Sequence, residues 1–362
     1  MSQAMPATLH LDASDPADMA TAATLLCDGQ LVAFATETVY GLGANALSPA
    51  AVAAIFAAKH RPSWDPIIVH IASTAKLPTI TNIPAALAPR VEALTAAFWP
   101  GPLTLLLPRN STIPDAVTAG RPLVGVRIPA HPAALALLAA TALPIAAPSA
   151  NRFGHTSPTT AEHVLTDLDG RIAAVLDAGP TSIGLESTVL DPTRTPMLLY
   201  RPGAITADQL TAATGIAVEH FIPQPTATPA PPEAMPSPGV GIRHYAPRAT
   251  LILIDPPNHG SQEDFEHCLL EQNSQSLAAG HRVGIMLPDH WAILPATYSY
   301  PWGPWHDLTT LAARLYAGLR TLDDSAVDII LCPLPAPGGL ADALRDRLQK
   351  AARPPSEPPP HR

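Results

Sequence analysis

The stretch LVAFATETVYGLGANALSPAAVAAIFAAK (Leu31–Lys59) reads as a buried strand, a polar turn and a helix. Leu31–Ala35 (LVAFA) is a short apolar run with no polar face, as expected of a strand covered on both sides. Ser48-Pro49 supplies an N-cap and a proline at the first helical position for a helix that ends near Lys59. Between the two lies Thr36-Glu37-Thr38-Val39-Tyr40-Gly41-Leu42-Gly43. Its hydroxyls, carboxylate and glycines at a strand end suit close backbone approach to a small polar ligand.

The same alternation runs outward over residues 1–215. Asp15-Pro16 opens a helix over about 16–28, which Gly29 stops. Further strands are expected at Ile67–Ile71, Leu103–Leu107, Val124–Ile128, Ile145–Ala147, Val175–Asp177, Ser187–Leu190 and Met197–Tyr200. Helices are expected near 84–98, 132–141, 159–168 and 206–213, the last with a capping box, Thr206-x-x-Gln209. Some of these strands follow one another with no helix between them, so the sheet is expected to be mixed. Residues 216–248 form a proline-rich connector that ends in SPGVGIRHYAP. A second domain over 249–353 reads as strand, helix, strand, helix, strand, helix, which suggests a small parallel sheet with Rossmann-like winding. The tail 354–362 is expected to be disordered.

Composition narrows the function. Charged residues are 14% and hydrophobic residues 47% of 362, too apolar for a disordered chain. The 44 prolines mostly punctuate apolar segments rather than fill a polar one. A net charge of −9 argues against stable nucleic-acid binding. Cys27, Cys268 and Cys332 form no CxxC pair and are expected to be small buried groups in a reducing cytoplasm. The N-terminus has no signal-peptide pattern, and no apolar run approaches the ~20 residues of a membrane span.

Several segments can carry chemistry. Lys59-His60-Arg61-Pro62 ends a helix, where cations complement the dipole or clamp a phosphate. His70 lies in the strand IIVHI and alone reads as a core histidine. Arg127 sits in an apolar strand and demands an anionic partner, from a ligand or from the protein. Pro148-Ser149-Ala150-Asn151, Ser157, Gly184-Leu185-Glu186-Ser187 and Arg201 follow strand ends, where open α/β sheets bind ligands. Gly41-x-Gly43-x-x-Ala46 matches a loose dinucleotide pattern, but polar residues separate its glycines from the strand. No Walker A loop, HExxH or GxSxG occurs.

Together TETVYGLGANA, KHRP…DPIIVH, FWPGPLT, VGVRIPAHP, IAAPSANRFGHTSPT, GLESTVLD and YRPGAIT resemble the L-threonylcarbamoyladenylate synthase family over about residues 16–215. SPGVGIRHYAP, LAARLYAGLRTLDDSAVDII and GGLADALRDRLQKAA resemble the linker and C-terminal domain of its long form. The resemblance implies a YrdC-like twisted mixed sheet with flanking helices, plus a smaller Rossmann-like domain. It implies synthesis of L-threonylcarbamoyl-AMP and diphosphate from L-threonine, bicarbonate and ATP with Mg²⁺. The product would pass to a transferase complex that modifies tRNA beside the anticodon. By motif match, Thr38, His70, Arg127, Ala147 and Ser187 would hold threonine. Lys59, Arg61, Asp65, Leu123, Ser149, Asn151, Ser157, Arg201 and Tyr245 would meet ATP, with Lys59 and Arg61 as the catalytic pair and Tyr245 as part of a lid. The metal ligands are not implied. This chain has Ala35, His60 and Asp65 where the family usually has Pro, Gly and Asn, and Val240-Gly241-Ile242 where it often has Met-Lys-Tyr. A carboxylate at 65 would repel a triphosphate unless Mg²⁺ lies between. Three other readings compete: a non-catalytic RNA-binding module of the same fold, a hydrogenase-maturation carbamoyltransferase, which would need zinc-finger segments absent here, and a NAD oxidoreductase.

Overall fold

The computed structural model describes residues 7–222, 235, 237, 245–256, 260–292 and 298–353. Most of the proline-rich connector, with Val240-Gly241-Ile242, Arg243 and His244, lies outside the described residues, as does the tail 354–362. The chain divides into two compact units, Met1–Phe153 with Ser157–Val240, and Gly154–Thr156 with Gly241–Arg362.

The first unit runs β1 (Leu9–Asp12), α1 (Pro16–Cys27), β2 (Val32–Phe34), β3 (Gly41–Asn45), α2 (Pro49–Lys59), β4 (Ile68–His70), a 3₁₀ turn at Thr74–Thr79, α3 (Ala88–Phe98), β5 (Leu103–Pro108) and α4 (Asp115–Thr118). It continues with β6 (Leu123–Arg127), α5 (Pro132–Thr141), β7 (Ile145–Ala146), α6 (Ala161–Leu168), β8 (Ala174–Asp177), β9 (Thr188–Asp191), β10 (Met197–Arg201), α7 (Ala207–Thr214) and β11 (Val218–His220). The strands form one mixed sheet in the order β1-β8-β2-β3-β7-β4-β6-β5-β9-β10-β11. Both faces are covered. Val32, Phe34 and Ile145 pack under α1 and α5 through Leu26, Leu137 and Leu138. Leu31, Ala33, Val69 and Val126 pack on the other face with Val52 and Ile55 of α2, Leu94 of α3 and Val164 of α6. The caps are those the sequence predicts. Asp15 accepts from Ala17 N–H, Ser48 accepts from Ala51 N–H, and Thr206 with Gln209 closes a capping box.

The structure corrects the reading around Gly41. Residues 41–45 are not turn but strand, antiparallel to β2, so the polar segment 35–40 is the loop of a hairpin. A Cβ on Gly43 would stand 2.9 Å from the Phe34 ring and 3.1 Å from Ile145, so glycine is needed to let β3 lie under them. The glycines therefore serve packing, and the dinucleotide reading loses its basis. The third helix starts at Ala88 rather than near 84, with Pro89 in its first turn. The sixth starts at Ala161, because Thr160 is its N-cap.

The second unit runs β12 (Thr250–Ile254), α8 (Gln262–Ala278), β13 (Val283–Pro288), β14 (Tyr298–Gly303), α9 (Leu308–Asp324), β15 (Ile329–Pro333) and α10 (Leu340–Ala351). Its sheet is parallel throughout, ordered β12-β15-β13-β14. Sequence reading passes over β14, whose YSYPWG carries a proline and little alternation. Trp302 is fully buried at its end and donates to the Leu311 carbonyl at 2.8 Å. Phe265, Trp291 and Trp305 cluster beside it with ring centroids 5.1–5.7 Å apart.

Candidate active site

The hairpin loop 35–40 is buried throughout and tied down by backbone hydrogen bonds. Tyr40 N–H donates to the Pro158 carbonyl, Ala150 N–H to the Tyr40 carbonyl, and Ile183 N–H to the Glu37 carbonyl. The Tyr40 hydroxyl lies 2.7 Å from the Gly179 carbonyl and 3.0 Å from Asp177 Oδ1. Thr36 Oγ1 donates to the Val39 carbonyl and meets Thr38 Oγ1 at 2.8 Å. A loop held at this many points can present Glu37 and Thr38 without rearranging its backbone.

Arg127 ends β6 beside His70, its in-register partner at the end of β4. Arg127 Nε donates to the Gly101 carbonyl at 3.1 Å, and one terminal nitrogen donates to Thr38 Oγ1 at 2.9 Å. The other terminal nitrogen lies 2.5 Å from Glu37 Oε1. The anion that Arg127 demands is thus a protein carboxylate in this structure. Glu37 was not picked out from sequence, although it stands inside the segment that was. His70 is buried, and its pKa is pushed down to about 3 by burial and by the Arg127 charge. Its ring is therefore neutral at physiological pH. Nδ1 is buried and makes no hydrogen bond of good geometry, with only the Ile145 and Ile68 backbones acting on the ring. Such an atom costs free energy until a ligand or water meets it.

Ser187 lies before β9, where its hydroxyl meets Thr104 Oγ1 of β5 at 2.8 Å. Arg201, at the end of β10, donates through Nε to the Ser187 carbonyl at 3.0 Å and through a terminal nitrogen to Ser187 Oγ at 3.1 Å. Sequence reading missed Thr104 as a partner. The signal lay in FWPGPLT, a rigid corner that places the hydroxyl.

The second group gathers about α2's C-terminus. Lys59 is buried, and Nζ donates to the Ser149 carbonyl at 2.5 Å and to the Asn151 carbonyl. Burial, and then the Arg61 charge, push its pKa well below the usual lysine value. His60 follows in the left-handed region at φ 52°, which explains why glycine suits this position. The His60 ring meets Arg171 at 2.8 Å. Arg61 donates to the carbonyls of Asp65 and Pro66 and pairs with the Asp65 carboxylate at 2.9 Å. The carboxylate at 65 is thus matched by a guanidinium, which lessens the repulsion expected toward a triphosphate. Ser157 Oγ donates to Glu186 Oε1, a second carboxylate the sequence did not single out.

The two groups share strands. Ile68 pairs with Gly125 and His70 with Arg127, so Pro66 and Leu123 lie at the start of the strands that His70 and Arg127 end. Four residues of strand separate these ends, about 13 Å. Ala147, just after β7, joins them by donating its N–H to the Ile68 carbonyl. Tyr245 belongs to the second unit, where its ring lies 5.8 Å from the Tyr316 ring and 5.4 Å from the Arg347 guanidinium. Among the described residues no group of three or more His, Cys, Asp or Glu side chains is placed to hold a metal. No helix among the described residues is long and apolar enough to cross a membrane.

Comparison with known proteins gives the chain's relatives. Residues 24–203 match the family model described as Telomere recombination, and residues 205–353 match Threonylcarbamoyl-AMP synthase, C-terminal domain. The chain is 44% identical over 348 residues to the threonylcarbamoyl-AMP synthase of Bacillus subtilis (strain 168), covering 95% of each. It is 39% identical over 332 residues to that of Pyrococcus abyssi (strain GE5 / Orsay), covering 91% of this chain and 93% of the relative. Among solved structures it resembles "Crystal structure of P. abyssi Sua5 complexed with L-threonine", with a TM-score of 0.85 and 37% identity over 95% of this chain and 97% of that one. The chain therefore belongs to the threonylcarbamoyl-AMP synthase family of enzymes.

Proposed function

We propose that this enzyme makes L-threonylcarbamoyl-AMP and diphosphate from L-threonine, bicarbonate and ATP, as the first step of tRNA modification beside the anticodon. The observation that carries the proposal is the pairing of two groups along β4 and β6. One end offers an anchored guanidinium, a neutral imidazole and small hydroxyls. The other offers two cations against a backbone loop. The first suits a small hydroxy amino acid; the P. abyssi structure with L-threonine supports that choice. The second suits phosphates.

In this reading Arg127 takes the threonine carboxylate while Thr38 and Gly101 keep its guanidinium in place. His70 offers its Nδ1 to the ligand, and the Ser187 hydroxyl, set by Thr104 and Arg201, lines the same end. Ala147 lines the passage between the ends. Lys59 and Arg61 face the phosphates, helped by Ser149, Asn151 and Ser157, with Asp65 steadying Arg61 and the Leu123 backbone at the strand start; Arg201, which the motif match gives to ATP, is instead engaged with Ser187 at the other end. They stabilise charge that grows on the α-phosphate as a carbamate oxygen attacks and diphosphate leaves. Mg²⁺ bound to the triphosphate would supply further charge neutralisation. Shielding the nucleotide from water matters in this reaction, because carbamate and mixed anhydride are labile. The product would be consumed by a separate tRNA-modifying transferase.

The alternative of an RNA-binding module finds little support. Lys59, Arg61, Arg127 and Arg201 are only 1%, 8%, 3% and 4% exposed, so they are not presented to a polynucleotide backbone. The test is diphosphate release by the purified chain with ATP and Mg²⁺, omitting L-threonine and bicarbonate in turn. Release that requires both supports the proposal. Release that ignores threonine, or none beside an active control, overturns it.

A further inference from the structure

A buried site for a zwitterion must answer two charges. Arg127 answers the carboxylate. The ammonium needs an anion, because a buried unmatched charge is very costly. His70 is held neutral and cannot serve. Asp65 is paired with Arg61, and Glu186 accepts from Ser157. Glu37 stands apart from these. It is buried, and neither carboxylate oxygen has a hydrogen-bond partner; its one contact of charge among the described residues is Arg127. The other titratable group that feels it, His131, is pushed toward its neutral form by burial, and its Nδ1 caps α5 by accepting from Ala133 N–H. Among the described residues no other cation therefore competes for Glu37.

The pair is also lopsided in how it is held. Arg127 is fixed by Gly101 and Thr38, whereas among the described residues the Glu37 side chain has no tie besides Arg127. A carboxylate that enters against Arg127 would have to take the place of Glu37 in this pair, and the ammonium on its neighbouring carbon would then need an anion close by. The backbone of Glu37 stays put, held by Ile183.

Resting on the reading of an amino-acid substrate above, we propose that Glu37 is the residue that recognises the substrate's α-ammonium, opening its pair with Arg127 to admit the zwitterion and rejecting acids that lack the amine. In the empty site the pair keeps both charges matched. In the filled site each side chain holds the opposite end of the ligand.

The test measures equilibrium binding to the full chain of L-threonine and of 2,3-dihydroxybutanoate, in which a hydroxyl replaces the amine. The native chain is expected to prefer threonine by about 100-fold or more, since a buried group built for one partner discriminates strongly against its absence. In Glu37→Gln threonine is expected to weaken by about 30-fold or more. The hydroxy acid is expected to hold or tighten, because Arg127 is released from competition. A native preference below about 3-fold overturns the proposal without any variant. Parallel weakening of both ligands in Glu37→Gln also overturns it, since that is the signature of a merely structural role. Glu37→Asp keeps the charge and is expected to keep the preference, which decides the matter if the glutamine variant does not fold. If the native chain binds ATP but neither acid, the amino-acid reading itself fails, and Glu37's role with it.

Discussion

Replacing Arg127 by methionine removes the cation and keeps much of the side chain's volume. The loss is a pair with buried Glu37 and hydrogen bonds to Gly101 and Thr38. Breaking a buried ion pair from one side costs about 3–5 kcal/mol, because the remaining charge is left without a partner. Water entry offsets part of that, so the lower end is expected. At a urea m-value of about 2–3 kcal/mol/M, the transition midpoint of the first unit should fall by about 1–2 M. Adding Glu37→Gln removes the stranded charge, and the double variant is expected to recover about 1 kcal/mol or more over Arg127→Met alone. The assay is urea unfolding of the full chain followed by circular dichroism and tryptophan fluorescence, as a double-mutant cycle. A cost below about 1 kcal/mol for Arg127→Met, or strict additivity of the two changes, would refute the view that the pair is buried and coupled.

Three further outcomes follow from the same geometry. Lys59→Met leaves the Ser149 and Asn151 carbonyls without their donor; threonine-dependent diphosphate release should fall by about 100-fold or more, measured in steady state against a matched melting curve. His60→Gly relieves a left-handed residue at the cost of the Arg171 contact, so the urea midpoint should stay level or rise by up to about 1 kcal/mol equivalent, and a clear fall would contradict the strain assigned there. His70 is held neutral, with its folded pKa near 3 against 6.5 for the free group, so the unfolded chain binds the extra proton in that window. The stability it contributes is full above pH 6.5 and is lost as pH falls toward 3. His70→Asn should flatten the acid limb of the stability curve by up to about 1.4 kcal/mol per pH unit, which acid-dependent urea midpoints would read.

Much of the fold is legible where local signals agree. α1, α2 and α7 begin at their capping residues because the cap side chain and the proline at the first position act locally. What escapes the sequence depends on partners far along the chain. β3 is written GLGAN, a turn-like composition, because Phe34 and Ile145 leave no room for side chains. β1, β11 and β14 are short strands whose existence depends on a neighbour, β8, β10 or β13. At the site, the residue types of Thr38, His70, Arg127, Ser187 and Arg201 were legible as a set. Their pairings were not. Lys59 at a helix end reads as a cation for the dipole, yet its ammonium turns inward to the loop at 149–151. Asp65 reads as a charge against phosphate until Arg61 is seen to match it. Glu37 is invisible as a partner of Arg127, because 90 residues separate them in sequence and only the return of the hairpin loop brings them together.

The most direct test of the proposed reaction follows a labelled carbon. Purified chain, ATP, Mg²⁺, L-threonine and ¹³C-bicarbonate are mixed and the fresh products weighed by mass spectrometry. The expected result is an adenylate with the mass of threonylcarbamoyl-AMP, heavier by one unit than with unlabelled bicarbonate and formed together with diphosphate. An adenylate that carries no label, or ATP consumed without any threonine-containing adenylate, would contradict it.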